Sequence, residues 1–248
     1  MQYKESMLDK IKTFVKKVLK PSPVGRLLYP YIQKLWKAYS IPRKRRRLHK
    51  YGYDALARMH ATLTNAGIKY YCDAGTLLGF IRDGGFIKND DDIDICIMPG
   101  NDSLVKVLRV FLDAGYGYVH GFDYKGRFLE FTVMDPIGIS IDVFLHSYNA
   151  DDARYFDEVF LRWFADREYP NERANTGLLF KLLAPNGLKT LQVHGVDVAI
   201  PVNAEEVLDS EYGPWRKPDP NFKSDFIVHT ELPEFAYRIT EDEALAHK

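Results

Sequence analysis

The chain has 248 residues, 46% hydrophobic and 14% aromatic, with 34 Lys+Arg balanced by 34 Asp+Glu. This is enough apolar material for one sizeable core, and it excludes collagen-like, low-complexity and wholly disordered chains. No apolar run reaches the roughly 18 residues of a membrane span, and two cysteines, Cys72 and Cys96, build no disulfide framework, so a cytosolic protein is expected.

The neutral total hides a division. Residues 1–50 carry 15 Lys+Arg against only Glu5 and Asp9, a net +13, and the rest of the chain carries −13. A basic arm over 1–50 and a globular domain over 51–248 follow, with the arm facing a polyanion.

In the arm, Met7, Leu8, Ile11, Phe14, Val15, Val18 and Leu19 recur at steps of three and four, with Lys10, Lys12, Lys16, Lys17 and Lys20 off that stripe. Pro21 and Pro23 are expected to stop this helix. A second apolar stretch, Leu27, Leu28, Tyr31, Leu35 and Trp36, leads into the run Arg43-Lys44-Arg45-Arg46-Arg47. Such a pattern suits a helix lying on an anionic membrane surface. It also describes an ordinary helix packed on its own core with a solvated basic face. No nucleic-acid module accompanies it, so nucleic acid is not an expected partner.

Residues 53–67 read as a helix, with Leu56, Met59, His60 and Leu63 on one side and Gly67 as its stop. A strand over 68–73, a turn at Ala74-Gly75-Thr76 and a short helix over 77–82 follow. A glycine turn entering a helix offers N–H groups and the positive dipole end to a phosphate.

The most informative stretch is Asn89-Asp90-Asp91-Asp92-Ile93-Asp94-Ile95-Cys96-Ile97. Strand alternation places Asp92 and Asp94 on one face and Ile93, Ile95 and Ile97 on the other. Two carboxylates about 7 Å apart above an apolar face repel unless a cation joins them, and a hard ion such as Mg²⁺ is the physical resolution. Two more strands, over 128–134 and 138–146, flank a turn at Asp135-Pro136-Ile137-Gly138. Asp142 interrupts the second as Asp92 and Asp94 interrupt the first. If the strands are neighbours, three carboxylates converge as two-metal phosphoryl transfer requires.

Further on, residues 191–201 read as a hairpin around His194-Gly195. Cys72 and Cys96 fall in predicted strands and read as small buried hydrophobes. His120, His146, His194 and His229 are scattered and read as structural, and no zinc spacing is present.

The run Asp73-Ala74-Gly75-Thr76-Leu77-Leu78-Gly79-Phe80-Ile81-Arg82, then Gly85-Phe86-Ile87 and Asp90-Asp91-Asp92-Ile93-Asp94-Ile95, resembles the signature of the LicD family, which includes the fukutin-type phosphotransferases. The tail Ile200-Pro201-Val202-Asn203, Tyr212-Gly213-Pro214-Trp215 and Pro218 resembles the family's ending. The resemblance implies an α/β (α+β) nucleotidyltransferase-like fold, a mixed β-sheet flanked by helices, as the catalytic domain over 51–248. Gly75-Thr76 stands where that fold has Gly-Gly or Gly-Ser, which keeps the hydroxyl.

The implied reaction is transfer of a phospho-alcohol, phosphocholine first, from a CDP-linked donor to a hydroxyl of a surface glycan or its lipid-linked precursor. Glycerol phosphate, ribitol phosphate or phosphoethanolamine are alternatives, as is nucleotidyl transfer from an NTP. Asp92, Asp94 and Asp142 are then catalytic and hold Mg²⁺ or Mn²⁺. Gly75 and Thr76 receive phosphate oxygens, and Arg82 adds charge near the leaving CMP. The basic arm would keep such an enzyme on the inner face of the cytoplasmic membrane.

Overall fold

A computed structural model describes residues 23–100, 102–162, 164, 167–219 and 229–247, with side chains except those of 23–30 and 33. The helix expected around Met7–Leu19 lies outside the described residues. The described chain opens with one 43-residue helix, α1 (Pro23–Asn65), where a helix was expected only over 53–67. Pro23 is its first residue, where a missing N–H has no intrahelical partner to lose, and the helix that Pro21 and Pro23 were expected to stop lies outside the described residues. Pro30 and Pro42 lie inside α1, and each removes one i→i−4 bond.

Burial explains why α1 runs on through the basic stretch. Leu48, Ala55, Leu56, Met59 and Leu63 are all fully buried, at spacings that keep one stripe on the core. The helix closes at Gly67, whose φ of 71° lets its N–H reach Thr64 O while the Ile68 N–H reaches Leu63 O.

The remaining elements are β1 (Tyr70–Cys72), α2 (Ala74–Arg82), β2 (Asp92–Ile97), α3 (Leu104–Asp113), β3 (Gly117–Tyr124), β4 (Arg127–Met134), β5 (Ser140–Phe144), β6 (Ser147–Tyr148) and β7 (Tyr155–Arg162). They continue with β8 (Ala174–Leu183), β9 (Leu188–Val193), β10 (Val196–Pro201), α4 (Ala204–Tyr212), β11 (His229–Ile239) and α5 (Glu241–Leu245). Nine strands form one sheet in the order β1-β2-β5-β4-β3-β11-β8-β7-β6. Among the described residues only β2 and β5 pair in parallel. This is the mixed α/β architecture that the sequence implied. β9 and β10 form the expected hairpin, longer than predicted, and it turns through His194 and Gly195 at φ 49° and 82°.

The two faces of the sheet differ in chemistry. Ile93, Ile95 and Ile97 of β2 join Ile141 and Val143 of β5 in the main core, beneath the apolar residues of α1 and α3. On the opposite face Tyr71 of β1 and Cys96 of β2 pack against Phe156 of β7. Strands distant in sheet order therefore meet, and the sheet bends back over the side that carries the acidic residues.

Basic residues of α1 clamp the turn between β4 and β5. Arg58 donates twice to the fully buried carboxylate of Asp135, at 2.7 and 3.0 Å, and Asp135 also accepts the Ile137 N–H at 2.7 Å. Arg47 Nη1 donates to Gly138 O at 3.0 Å. Replacing Arg58 by Met leaves the Asp135 charge buried without its partner. Urea unfolding should show a lower midpoint at unchanged m-value, a loss of about 2–3 kcal/mol.

Candidate active site and cation centre

The acidic face of β2 is built by register. Parallel pairing sets Asp92 opposite Ser140 and Asp94 opposite Asp142, so the three predicted carboxylates sit on neighbouring strands. Asp90 follows the same two-residue step, from a turn where its N–H donates to Ile87 O. Asp90, Asp92 and Asp94 place carboxylate oxygens within 4.8 Å of one another. Asp142 stands beside this trio with Oδ1 accepting from Thr132 Oγ1 at 2.6 Å.

Helix α2 supplies the other wall. Thr76 is fully buried, and its Oγ1 accepts the Asp94 N–H at 2.9 Å, while the Asp73 N–H donates to Asp94 O at 3.1 Å. These bonds stitch the start of the helix to β2. Gly75 is required by closeness: a Cβ there would lie 3.0 Å from Asp90 Oδ2 and 3.3 Å from Asp94 Oδ2. Ala74 is held at φ 44°, a conformation rarely adopted by residues with a Cβ.

Arg82 stands at the far end of α2. It lies eight positions along α2 from Ala74, roughly 12 Å of helix axis, and holds Asp83 bidentately at 2.7 and 2.8 Å. The cation that the structure brings near is Lys44 of α1, 3.3 Å from Asp91. Sequence reasoning passed over it because it lies in a run of five basic residues.

Crowding shows in the acidities. Burial, then the charge of Asp92, pushes the Asp90 carboxyl up to about 8. Burial and Asp91 raise Asp92, while Lys44 opposes the rise. Burial first, then Asp92, Asp90, Asp142 and Asp73, lifts Asp94 well above the usual carboxylate range. Burial and Asp92 push Asp142 up to about 7, against the Thr132 hydrogen bond and Lys44.

These residues fit a hard divalent cation. The donors are all carboxylate oxygens, each destabilised by its neighbours, and Asp90 Oδ2 is buried with no hydrogen-bond partner among the described residues. Deeper on the same face lie groups not expected from sequence: Asp73, Glu130, His146, Glu158, Glu211 and Tyr212. Burial pushes Asp73 up to about 6 and Glu130 to about 8. Burial, then Asp73, raises Glu211 strongly.

Comparison with known proteins places this geometry in a family. The family described as "LicD/FKTN/FKRP, nucleotidyltransferase domain" matches residues 67–203, more than half of the chain. The chain belongs to that family. An uncharacterized protein of Rickettsia typhi is 38% identical over 73 residues, covering 29% of this chain and 24% of that protein. The human ribitol-5-phosphate transferase FKTN is 26% identical over 159 residues, 63% of this chain and 31% of its own length. The chain thus spans about a quarter to a third of these relatives. The lincomycin-bound crystal structure of the lincosamide antibiotic adenylyltransferase LnuA aligns with TM-score 0.34 and 12% identity, covering 59% of this chain and 77% of that one.

Three outcomes test the centre. The folded chain keeps protons on carboxyls that the unfolded chain releases near 3.8, so metal-free stability should fall as pH rises from about 4 through about 8. Added Mg²⁺ should raise the melting temperature more at pH 8 than at pH 5, because it replaces those protons. Gly75→Ala should keep the fold by circular dichroism yet weaken Mg²⁺ binding in calorimetry, since its methyl group displaces the Asp90 and Asp94 oxygens.

Proposed function

We propose that this LicD-family chain transfers a phospho-alcohol from a CDP-activated donor to a hydroxyl of a glycan or its lipid-linked precursor. The observation that carries this reading is the Asp90, Asp92 and Asp94 cluster at the first turn of α2, with Asp142 in register beside it. Bound there, Mg²⁺ or Mn²⁺ would neutralise diphosphate charge and polarise the bond to the leaving nucleotide.

The chain's own groups do the rest. First-turn N–H groups of α2, Gly75 and Thr76 among them, have no acceptor within the helix and suit phosphate oxygens. The Thr76 oxygen already accepts from Asp94, so its O–H remains to donate. Asp142, oriented by Thr132, takes the proton of the attacking hydroxyl. Arg82, held by Asp83, adds a fixed charge near the leaving CMP.

The named relatives put ribitol phosphate ahead of the phosphocholine expected from the sequence. With Mg²⁺ and a glycan acceptor, the donor screen is CDP-ribitol, CDP-choline, CDP-glycerol and CDP-ethanolamine. CMP release with a phosphodiester product is expected, and Asp92→Asn or Asp94→Asn should lower kcat by roughly 100- to 1000-fold. Pyrophosphate release from an NTP would instead establish nucleotidyl transfer. Near-normal turnover by either variant would remove the mechanism.

A peripheral place on the inner face of the membrane belongs to the same proposal. No helix among the described residues is long and apolar enough to cross a bilayer. Tyr31, Leu35 and Tyr39, four apart on α1, are all exposed, and Lys34, Lys37 and Arg46 are exposed with them. Lys44, Arg47 and Leu48 are instead engaged by the chain's own body. Flotation with phosphatidylserine vesicles should be lost when Tyr31, Leu35 and Tyr39 are all changed to Ser, and unchanged flotation would sink the membrane contact.

A further inference from the structure

The proposed transfer leaves unused a second donor set on the acidic face. Asp73 caps the start of α2, Cys96 lies on β2 and His146 follows β5. One carboxylate oxygen, the thiol sulfur and one imidazole nitrogen of these residues lie within 4.8 Å of one another, and all three residues are buried. His146 is 6% exposed, and its Nε2 has no hydrogen-bond partner among the described residues. That nitrogen faces Glu158 Oε1 at 3.6 Å and Asp73 Oδ2 at 3.9 Å. The Cys96 thiol makes a long contact to the carbonyl of its own neighbour, Ile97 O, at 3.6 Å, and the Tyr71 hydroxyl and the His146 imidazole also reach it.

Those gaps exceed hydrogen-bond lengths. They come close to the edges of a tetrahedron around a metal, since bonds of about 2.0–2.3 Å give edges of about 3.3–3.8 Å. The donor types point the same way. A thiolate and an imidazole select borderline metals, whereas Mg²⁺ takes oxygen ligands. Charge agrees as well: the half-buried Glu158 and Glu211 join Asp73 around the one imidazole.

We propose that Asp73, Cys96 and His146, with Glu158 as fourth ligand, bind one Zn²⁺-class ion distinct from the Mg²⁺ centre. On binding, the Cys96 S–H releases its proton to solvent and sulfur, nitrogen and two carboxylate oxygens bond to the metal, with no change of oxidation state. The ion would tie β1, β2 and β5 to β7, and so fix Asp73 immediately before Ala74 and Gly75. Its role is positional, and it stands whether or not the proposed transfer is correct.

The test strips the full chain with a chelator and titrates it with Co²⁺ in excess Mg²⁺, which occupies the all-oxygen centre. The expected result is a near-ultraviolet thiolate-to-cobalt charge-transfer band with intense tetrahedral visible bands, saturating at one Co²⁺ per chain and displaced by Zn²⁺. Cys96→Ser should abolish the charge-transfer band, whereas Cys72→Ser and Asp92→Asn should retain it. Absence of the band in the unsubstituted protein overturns the site, which needs no variant to fold. Persistence in Cys96→Ser, or loss in Cys72→Ser, overturns it equally.

Discussion

Mutual repulsion among carboxylates held on one sheet face governs the functional half of this molecule. Two unit charges 4.8 Å apart in a medium of effective dielectric about 20 repel by roughly 3 kcal/mol, and Asp90, Asp92 and Asp94 meet in three such pairs. The folded chain bears this either by keeping protons, as the raised acidities of Asp90, Asp94 and Asp142 indicate, or by holding a cation. The backbone does not let the groups separate. Parallel register fixes Asp94 against Asp142, the Thr76 hydroxyl holds the Asp94 amide, and the missing side chain of Gly75 lets the helix start approach the carboxylates.

The energy for such an arrangement comes from the reverse face. Ile93, Ile95, Ile97, Ile141 and Val143 are each completely buried beneath α1 and α3, and each apolar side chain so buried contributes on the order of 2 kcal/mol. A strand secured by its apolar side can carry charges on the other that it would not tolerate alone. α1 adds a second kind of support. Arg58 and Arg47 hold the turn that leads into β5, and Lys44 reaches Asp91 beside the acidic cluster. The basic stretch is therefore partly scaffold: its inward members neutralise and position the acidic body, while others face solvent.

How much of this could be read from the sequence depended on the range of the interactions involved. Period-two alternation fixed the faces of Asp92, Asp94 and Asp142, because it is a property of each strand alone. Their meeting required β2 and β5 to be neighbours, which the alternation left conditional and the sheet order supplied. Asp90 continues the same two-residue step but precedes the strand, so the strand argument stopped short of it. Thr76 accepts the Asp94 amide with its oxygen, a contact across 18 positions that no local pattern encodes. Pro42 is absorbed within α1 because Leu48, Leu56, Met59 and Leu63 hold the following turns in the core. His146 and Cys96 looked isolated in sequence because the bend of the sheet, which brings β7 across β1 and β2, is a long-range property.

That bend also sorts the donors by chemistry. Toward the start of α2 the face offers oxygen alone, from Asp90, Asp92 and Asp94, and oxygen donors favour a hard ion that keeps part of its hydration. One step further along β2, Cys96 replaces Asp94 in the alternation opposite Phe144 of β5, and His146, just past the end of β5, and Asp73 close the group with nitrogen and oxygen beside the sulfur. The two sets share the strand and differ in softness, so an ion suited to one is poorly suited to the other. Asp73 and Asp94 are joined through the backbone, the Asp73 N–H donating to Asp94 O. The start of α2 is thus tied by the backbone to the strand that carries both sets.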